Sequence, residues 1–168
     1  KDTRLSDIID FKNGRKRPSS DGKYPVYGGN GVLGYANDCN NDNCVIIGRV
    51  GSYCGSVYYE PHKCWISDNA IVAKAKSNSN ILFIYYLLNS LQLNKRRIGT
   101  GQPLLTQDIL NRIVCFIPTL SIQGQIAAVL SALDDKIANN RKINNHLDQM
   151  AQAIFKSWFV DFEPWGGV

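Results

Sequence analysis

Residues 123–158 read QGQIAAVLSALDDKIANNRKINNHLDQMAQAIFKSW, about ten helical turns with no proline and one glycine, Gly124. Apolar residues recur there at alternating spacings of four and three, which is the pattern of a coiled-coil seam that a second helix covers. The predicted helix interface consists of Ile126, Leu130, Leu133, Ile137, Asn140, Asn144, Leu147, Ala151, Ile154 and Trp158.

Two polar residues, Asn140 and Asn144, stand together at the middle of this seam. A buried asparagine in a seam costs stability but fixes register and partner, because it needs an opposing hydrogen-bond group. The helix would run roughly 50 Å, whereas a compact chain of this size has a radius of gyration of about 15 Å. We therefore expect the helix to hold a partner rather than to pack only within its own domain.

The composition is typical of a folded protein with one core, or one core plus an appendage. Among 168 residues, 44% are apolar and 10% are aromatic. We find no apolar run long enough to cross a bilayer and no leading signal segment, so we expect no membrane association and a cytoplasmic location.

The five cysteines are an odd number without Cys-x-x-Cys spacing, which is typical of reduced thiols in a cytoplasmic protein. A zinc site formed by the first four, with His62, would have no standard ligand spacing. No metal site is predicted.

The charge is divided unevenly along the chain. Residues 1–117 contain 15 Lys and Arg against 9 Asp and Glu, and residues 118–168 contain 4 against 5. The basic excess therefore lies before the long helix, which suggests either a polyanionic partner for that part or simply a solvated basic surface.

Short elements precede the long helix. Strands are predicted at residues 24–27, 44–47, 57–59, 70–73 and 113–117, and short helices at residues 4–11, 81–89 and 106–110. This order predicts an α+β fold, a globular mixed domain followed by a long C-terminal coiled-coil-forming helix.

A basic loop and the glycine-rich segment at residues 48–56 could approach a ligand. The loop at residues 12–23 holds five basic residues, a composition that suits phosphate contact but also occurs in merely soluble loops. Gly29, Gly31 and Gly34 have the spacing of a dinucleotide-binding turn, but turn-forming residues rather than a helix follow, so nucleotide binding is not predicted.

Catalytic signatures are absent from the sequence. It contains no phosphate-binding Walker loop and no Asn/Asp-Pro-Pro-Tyr/Phe segment of an amino-group methyltransferase. The histidines, His62 and His146, are isolated. We therefore expect a non-catalytic binding protein without a cofactor.

Six segments together resemble the specificity subunit of type I restriction-modification systems. They are YPVYGGNG (24–31), GRVGSY (48–53), WISDNA (65–70), GTGQP (99–103), LDDKI (133–137) and IFKSWFVDF (154–162). One family feature differs, since Gly124 stands where an acidic residue usually precedes Gln125.

The resemblance implies a DNA target-recognition domain at residues 1–118 and a long spacer and dimerisation helix with a truncated linker at residues 119–168. Such a domain recognises one half of a bipartite site in double-stranded DNA. The helix would dock modification subunits and, through them, the restriction subunit. Because one unit is present instead of two, we expect a natural half-subunit or a fragment that forms a homodimer through the helix.

The candidate DNA-binding residues are the basic, aromatic and amide side chains of the loops. They are Lys12, Arg15, Lys16, Arg17, Asn30, Arg49, Tyr53, Lys95, Arg97 and Gln102. Arginine and glutamine bind guanine and adenine edges well, although each residue could instead contact a phosphate or nothing. The alternative function is a coiled-coil adaptor that assembles other subunits without sequence-specific DNA binding.

Overall fold

The structure, a computed structural model, describes residues 2–18, 21–99 and 101–166. Predictions that fall on Ser19 and Ser20 of the basic loop, on Thr100 and on residues 167–168 lie outside the described residues. The chain divides into two compact units, residues 1–127 and 128–168. The assignment of DNA recognition to residues 1–118 and of a spacer to residues 119–168 stays a prediction.

Within the described residues, short strands and helices precede one long helix. In chain order the elements are β1 (Asp2–Arg4), α1 (Leu5–Ile8), β2 (Ile9–Asn13), β3 (Tyr24–Gly28), β4 (Gly31–Ala36), β5 (Cys44–Gly48), β6 (Val57–Glu60), β7 (Trp65–Ile66), β8 (Ala70–Ala75), α2 (Ile81–Ser90), α3 (Gln107–Arg112), β9 (Val114–Phe116) and α4 (Leu120–Phe159). This confirms the α+β class.

The first unit is built around β5, which is buried along its whole length. It lies inside an antiparallel sheet of order β2-β8-β5-β6. Because successive side chains of a strand point to opposite faces, Val45 and Ile47 enter one apolar cluster while Cys44 and Ile46 enter another. Helices α1, α2 and α3 cover the first face, and residues of β3 and β7 contribute to the second.

Helix α2 forms where the sequence predicts it. The Asn80 side chain accepts a hydrogen bond from the Phe83 backbone N–H at 3.0 Å, which satisfies one of the free donors of the first turn. Phe83, Ile84 and Leu88 are buried on the face that packs against the sheet. Each such side chain contributes roughly 1.5–3 kcal/mol by leaving water.

Three predicted elements differ from the structure. The helix expected at residues 4–11 is a single helical turn, α1, that continues as β2, because Ile9, Phe11 and Asn13 pair with β8. Of the three glycines with dinucleotide-turn spacing, only Gly29 lies in a turn, whereas Gly31 and Gly34 belong to β4, which pairs with β3 in a hairpin. The last strand, β9, is short, and Val114 and Phe116 are exposed on its outer face.

Helix α4 confirms the long helix predicted over residues 123–158. It runs over 40 residues despite Gly124. Its first turns belong to the first unit, where Gln123 and Ala127 are buried. The Gln123 side chain accepts from the Asn80 N–H at 2.9 Å and donates to the Pro118 carbonyl at 3.0 Å. This amide links the start of α4 to the start of α2.

Candidate nucleic-acid interface

The loops that carry most of the candidate DNA-binding residues meet around residues 66–70, and we call this assembly the loop cluster. It comprises residues 14–17, 28–31, 48–56, 66–70 and 94–104, with Thr100 outside the described residues. These segments are far apart in the chain but are joined by backbone hydrogen bonds. The cluster therefore has a defined backbone although most of it lies outside regular elements.

Residues 66–70 hold the basic loop and the glycine turn. The Arg15 N–H donates to the Ile66 carbonyl at 2.9 Å, and Gly14 donates to Ala70 at 3.0 Å. The Ser67 N–H donates to the Tyr27 carbonyl at 2.8 Å, which fastens the end of β3 to the same segment. The Ser67 hydroxyl is buried and has no hydrogen-bond partner among the described residues.

Residues 48–56 join the same segment to the loop after α2. The Arg49 N–H donates to the Asn69 carbonyl at 3.0 Å, and Gly51 donates to Pro103 at 3.0 Å. Gly55 has a φ of +90°, and a Cβ there would lie 2.3 Å from the Asn94 backbone nitrogen. Glycine is required at this position because the conformation is left-handed and the backbones approach so closely.

Hydrogen bonds from side chains also stabilise this segment. The Ser56 hydroxyl donates to the Gly29 carbonyl at 2.5 Å, and the Cys54 thiol donates to the Arg49 carbonyl at 3.2 Å. Burial raises the pKa of the Cys54 thiol. The thiol therefore keeps its proton near neutral pH and remains a donor.

The candidate DNA-binding residues fall on or beside the loop cluster. Arg15, Lys16, Arg17, Asn30, Arg49, Tyr53, Lys95, Arg97 and Gln102 belong to it, and Lys12 lies at the end of β2. Within the described residues, no candidate side chain hydrogen-bonds to another. The structure thus brings their backbones together, and their roles in DNA binding stay predictions.

Two arginines have defined side-chain positions. The Arg17 guanidinium lies over Gly34 and donates to the Leu33 carbonyl at 3.4 Å. The Arg49 guanidinium donates to the Asp68 carbonyl at 3.4 Å. Both bonds are long and leave donors of each guanidinium available for a ligand.

Most of the candidate cations have no carboxylate partner. Among the described residues, Lys12 pairs with Asp10 at 3.0 Å, and the remaining ion pairs involve Lys74, Arg112 and Lys156. Arg15, Lys16, Arg17, Arg49, Lys95 and Arg97 therefore make no ion pair in this part of the chain. Cations without internal partners favour an external anion.

A second polar cluster is formed by side chains of β3, β5 and β6 together with Cys64. The Tyr27 hydroxyl donates to Glu60 at 2.9 Å, and burial together with this carboxylate raises the pKa of Tyr27. The Cys44 and Cys64 sulfurs are 3.9 Å apart and buried. Their hydrogen bond lowers the pKa of the Cys44 thiol and raises that of Cys64.

Neither a metal site nor a membrane span is visible in the described residues. No three or more His, Cys, Asp or Glu side chains are grouped there so that they could bind a metal ion. No helix in this part of the chain combines the length and the apolar character that a bilayer crossing requires.

In the second unit, α4 exposes its apolar seam. Leu133, Ile137, Leu147, Ile154 and Trp158 are each about half exposed. Large contiguous apolar surface on a folded protein usually marks an interaction site.

Sequence reasoning missed two structural contributors. Gln123 was not singled out, because a glutamine beside Gly124 carries no apolar signal. Residues 65–70 supported the resemblance but were not proposed as a site, although they connect the other segments. Their turn-forming Ser, Asp and Asn residues were the available signal.

The chain is similar to specificity subunits of type I restriction enzymes. The family model described as "Type I restriction modification DNA specificity domain" matches residues 1–149. The EcoprrI type I restriction enzyme specificity subunit of Escherichia coli is 31% identical over 112 residues, which cover 66% of this chain and 28% of that protein. The HindI specificity subunit of Haemophilus influenzae is 38% identical over 111 residues, covering 58% of this chain and 24% of that protein.

Solved structures share the fold. The type I restriction-modification S subunit from M. genitalium superposes with a TM-score of 0.73 at 21% identity, over 94% of this chain and 48% of that chain. The HsdS subunit from Thermoanaerobacter tengcongensis superposes with a TM-score of 0.64 at 19% identity, over 95% and 44%. The present chain thus spans about half the length of these solved chains and about a quarter of the two curated relatives.

Proposed function

Because the chain belongs to the type I restriction modification DNA specificity family, we propose that it is a non-catalytic DNA-sequence specificity subunit or half-subunit. It recognises one half of a bipartite site, pairs through α4 and docks modification subunits, and through them the restriction subunit. A cytoplasmic location is part of this proposal. An adaptor without sequence-specific DNA binding finds no support among the relatives, which are named specificity or S subunits.

The observation that carries the DNA-binding part is the loop cluster with its unpaired cations. A backbone fixed by hydrogen bonds between distant segments presents arginine, lysine, amide and tyrosine side chains on one framework. Phosphate contacts by such cations supply affinity and register, whereas base-edge contacts supply sequence choice. Tyr53 is 52% exposed and can therefore reach a ligand.

The symmetry of the α4 seam allows two copies to pair in antiparallel orientation. The positions 126 and 158, 130 and 154, 133 and 151, 137 and 147, and 140 and 144 all average to 142. An antiparallel second copy centred at residue 142 therefore places every seam residue opposite a seam residue. Asn140 then faces Asn144 of the second copy, so each asparagine gains a hydrogen-bond partner.

Flanking charges favour this orientation over a parallel one. In a parallel pair in register, Lys136 on one edge of the seam faces Arg141 of the other helix, and this like-charge contact occurs twice. In the antiparallel pair, edges of the same kind meet, so Lys136 and Arg141 of the two copies lie on opposite edges of the seam and this like-charge contact is absent. Charges at these edge positions help to select partner and orientation.

Exposed apolar side chains outside the seam provide surface on which further helices could pack. Ile143 and Met150 are 46% and 60% exposed and widen the apolar face on one edge. The rings of Phe155 and Phe159 lie 5.3 Å apart, outside the seam positions, and are about 60% exposed. We assign this extra surface to the modification subunits, because one partner helix covers only the narrow seam.

Disulfide trapping tests the orientation. In a Cys39→Ser background, which removes the exposed native thiol, a mixture of Leu130→Cys and Ile154→Cys chains should form a mixed disulfide. Leu130→Cys alone should not, because the two cysteines would be roughly 36 Å apart along the antiparallel pair. A disulfide in the Leu130→Cys homodimer would contradict the antiparallel register.

Sequence selection tests the function as a whole. The full chain, with and without modification subunits, is equilibrated with a random duplex pool and the retained DNA is sequenced. Enrichment of one defined sequence is expected. Retention without any sequence preference in both arms would refute the specificity role.

A further inference from the structure

A concave basic pocket lies beside the loop cluster. Its volume is about 380 Å³, and it is lined by Lys12, Asn13, Arg15, Cys39, Asn40, Asn41, Trp65 and Val72. Two of these eight residues, Lys12 and Arg15, are charged, and both are cations. An anionic group is therefore the ligand that the pocket favours.

The pocket walls are held in place from both sides by β7. The Asn40 side chain donates to the Ile66 carbonyl at 3.0 Å and accepts from the Ile66 N–H at 2.8 Å. Opposite, the Arg15 N–H donates to the same Ile66 carbonyl, and the Trp65 indole N–H donates to the Arg15 carbonyl at 3.3 Å. A ligand therefore enters a preformed site and does not have to order it.

The two cations are available to a ligand. Lys12 forms a surface ion pair with Asp10, in which the two side chains are 75% and 50% exposed. Ion pairs that are exposed to this extent are weak. Arg15 makes no ion pair within the described parts of the chain. Asp42, next to the 39–41 wall, is held by Lys74 at 2.6 Å, and this ammonium lowers the pKa of Asp42. Its charge is thus already compensated.

The tryptophan adds an apolar surface to this anion site. Trp65 is partly exposed, and its one polar group is used by Arg15, so a ligand meets the hydrocarbon part of the ring. A small inorganic anion would use the cations and leave the ring uncovered. A nucleotide unit of DNA has both an anionic phosphate and a hydrocarbon deoxyribose.

We propose that this pocket seats one backbone phosphate of the bound DNA between Lys12 and Arg15, with its deoxyribose against Trp65. The proposal rests on the DNA-specificity function above and assigns the pocket a positioning role. Because a phosphate is the same in every sequence, the pocket contributes affinity and register but no base choice.

Two measurements on the full chain test the contact. The double variant Lys12→Ala/Arg15→Ala should bind its selected duplex more weakly, with a salt slope smaller by about one. Between 50 and 200 mM salt, the double variant should therefore lose roughly fourfold less affinity than the wild type. The selected sequence should stay the same. Lys142→Ala/Lys156→Ala removes the same charge from the outer face of α4 and should leave the slope unchanged.

Tryptophan accessibility supplies the second readout, with Trp65 as one of three tryptophans. Duplex DNA should reduce acrylamide quenching of the wild type, and Trp65→Phe should lose this protection while still binding DNA in an anisotropy titration. Equal protection in Trp65→Phe would overturn the deoxyribose contact, and an unchanged salt slope in the double variant would overturn the phosphate contact. Protection by inorganic phosphate but not by duplex would assign the pocket to a free anion and overturn the proposal.

These outcomes separate the pocket from the function. If the wild type selects a sequence and the variants behave like it, the pocket proposal fails and the specificity function stands. If the wild type selects no sequence, both fail.

Discussion

Replacing Leu133 and Ile137 with aspartate should disperse the proposed α4 dimer. In the antiparallel register these residues face Ala151 and Leu147 of the second copy. Leu133 is 53% exposed and Ile137 is 49% exposed in the single chain, so roughly half of each side chain remains to be covered by a partner. Full burial of such a side chain contributes about 1.5–3 kcal/mol, which leaves about 1 kcal/mol for each residue on dimerisation.

The double substitution therefore removes about 4 kcal/mol from a dimer, because two residues change in each of two copies. The carboxylates add a desolvation cost and like-charge repulsion across the seam. Since 1.4 kcal/mol corresponds to a tenfold change in Kd, dimerisation should weaken by roughly a thousandfold or more.

Sedimentation equilibrium over a range of protein concentrations measures this change. Gln149→Asp is the matched control, since it introduces a carboxylate on the outer face of the same helix and should leave the dimer intact. An unchanged association constant in Leu133→Asp/Ile137→Asp, with normal helicity by circular dichroism, would refute the seam as the dimer interface.

Three further changes test the first unit. Gln123→Leu should lower the free energy of unfolding by roughly 2–4 kcal/mol, because two backbone groups lose their buried partner; urea denaturation measures this, and an unchanged midpoint would contradict the role of the amide. Replacing Arg15, Lys16 and Arg17 with alanine should weaken DNA binding and flatten its dependence on salt, measured by anisotropy; no effect would remove this loop from the interface. The pKa of Tyr27 is higher in the folded protein than its ordinary value of 10.0 in the unfolded chain. The protonated hydroxyl therefore stabilises the fold fully below pH 10.0, and this stability is lost as the pH rises above that value. Tyr27→Phe should therefore be less stable near neutral pH, by about 1 kcal/mol, but should lose less stability in alkaline urea titrations; equal alkaline slopes would count against this coupling.

Local patterns explain why much of the fold was predictable. The heptad spacing of α4 and the Asn80 cap of α2 depend on residues a few positions apart. The apolar run of β5 likewise signals burial from its own composition. Residues 4–11 were predicted as one helix because, over so short a segment, their apolar positions fit a helical period as well as a strand period. Pairing with β8 makes residues 9–13 a strand.

The candidate site was predictable only in part. Its basic and glycine-rich composition indicated the loops, and the family resemblance indicated what such loops do. Nothing in the composition shows that Trp65 and Arg15 border one pocket with Asn40, since these residues are distant in sequence. Their arrangement depends on shared hydrogen bonds to Ile66.

The linear order of residues was therefore enough to establish a long helix with an apolar seam, a preceding α+β unit and a basic excess confined to that unit. Periodicity and charge are properties of neighbouring residues, so they can be recognised without coordinates. Folding alone assembled the loop cluster, buried Gln123 and formed the basic pocket. The reason is physical: backbone hydrogen bonds between distant segments use the same donors and acceptors in every residue, and so leave no mark in the sequence.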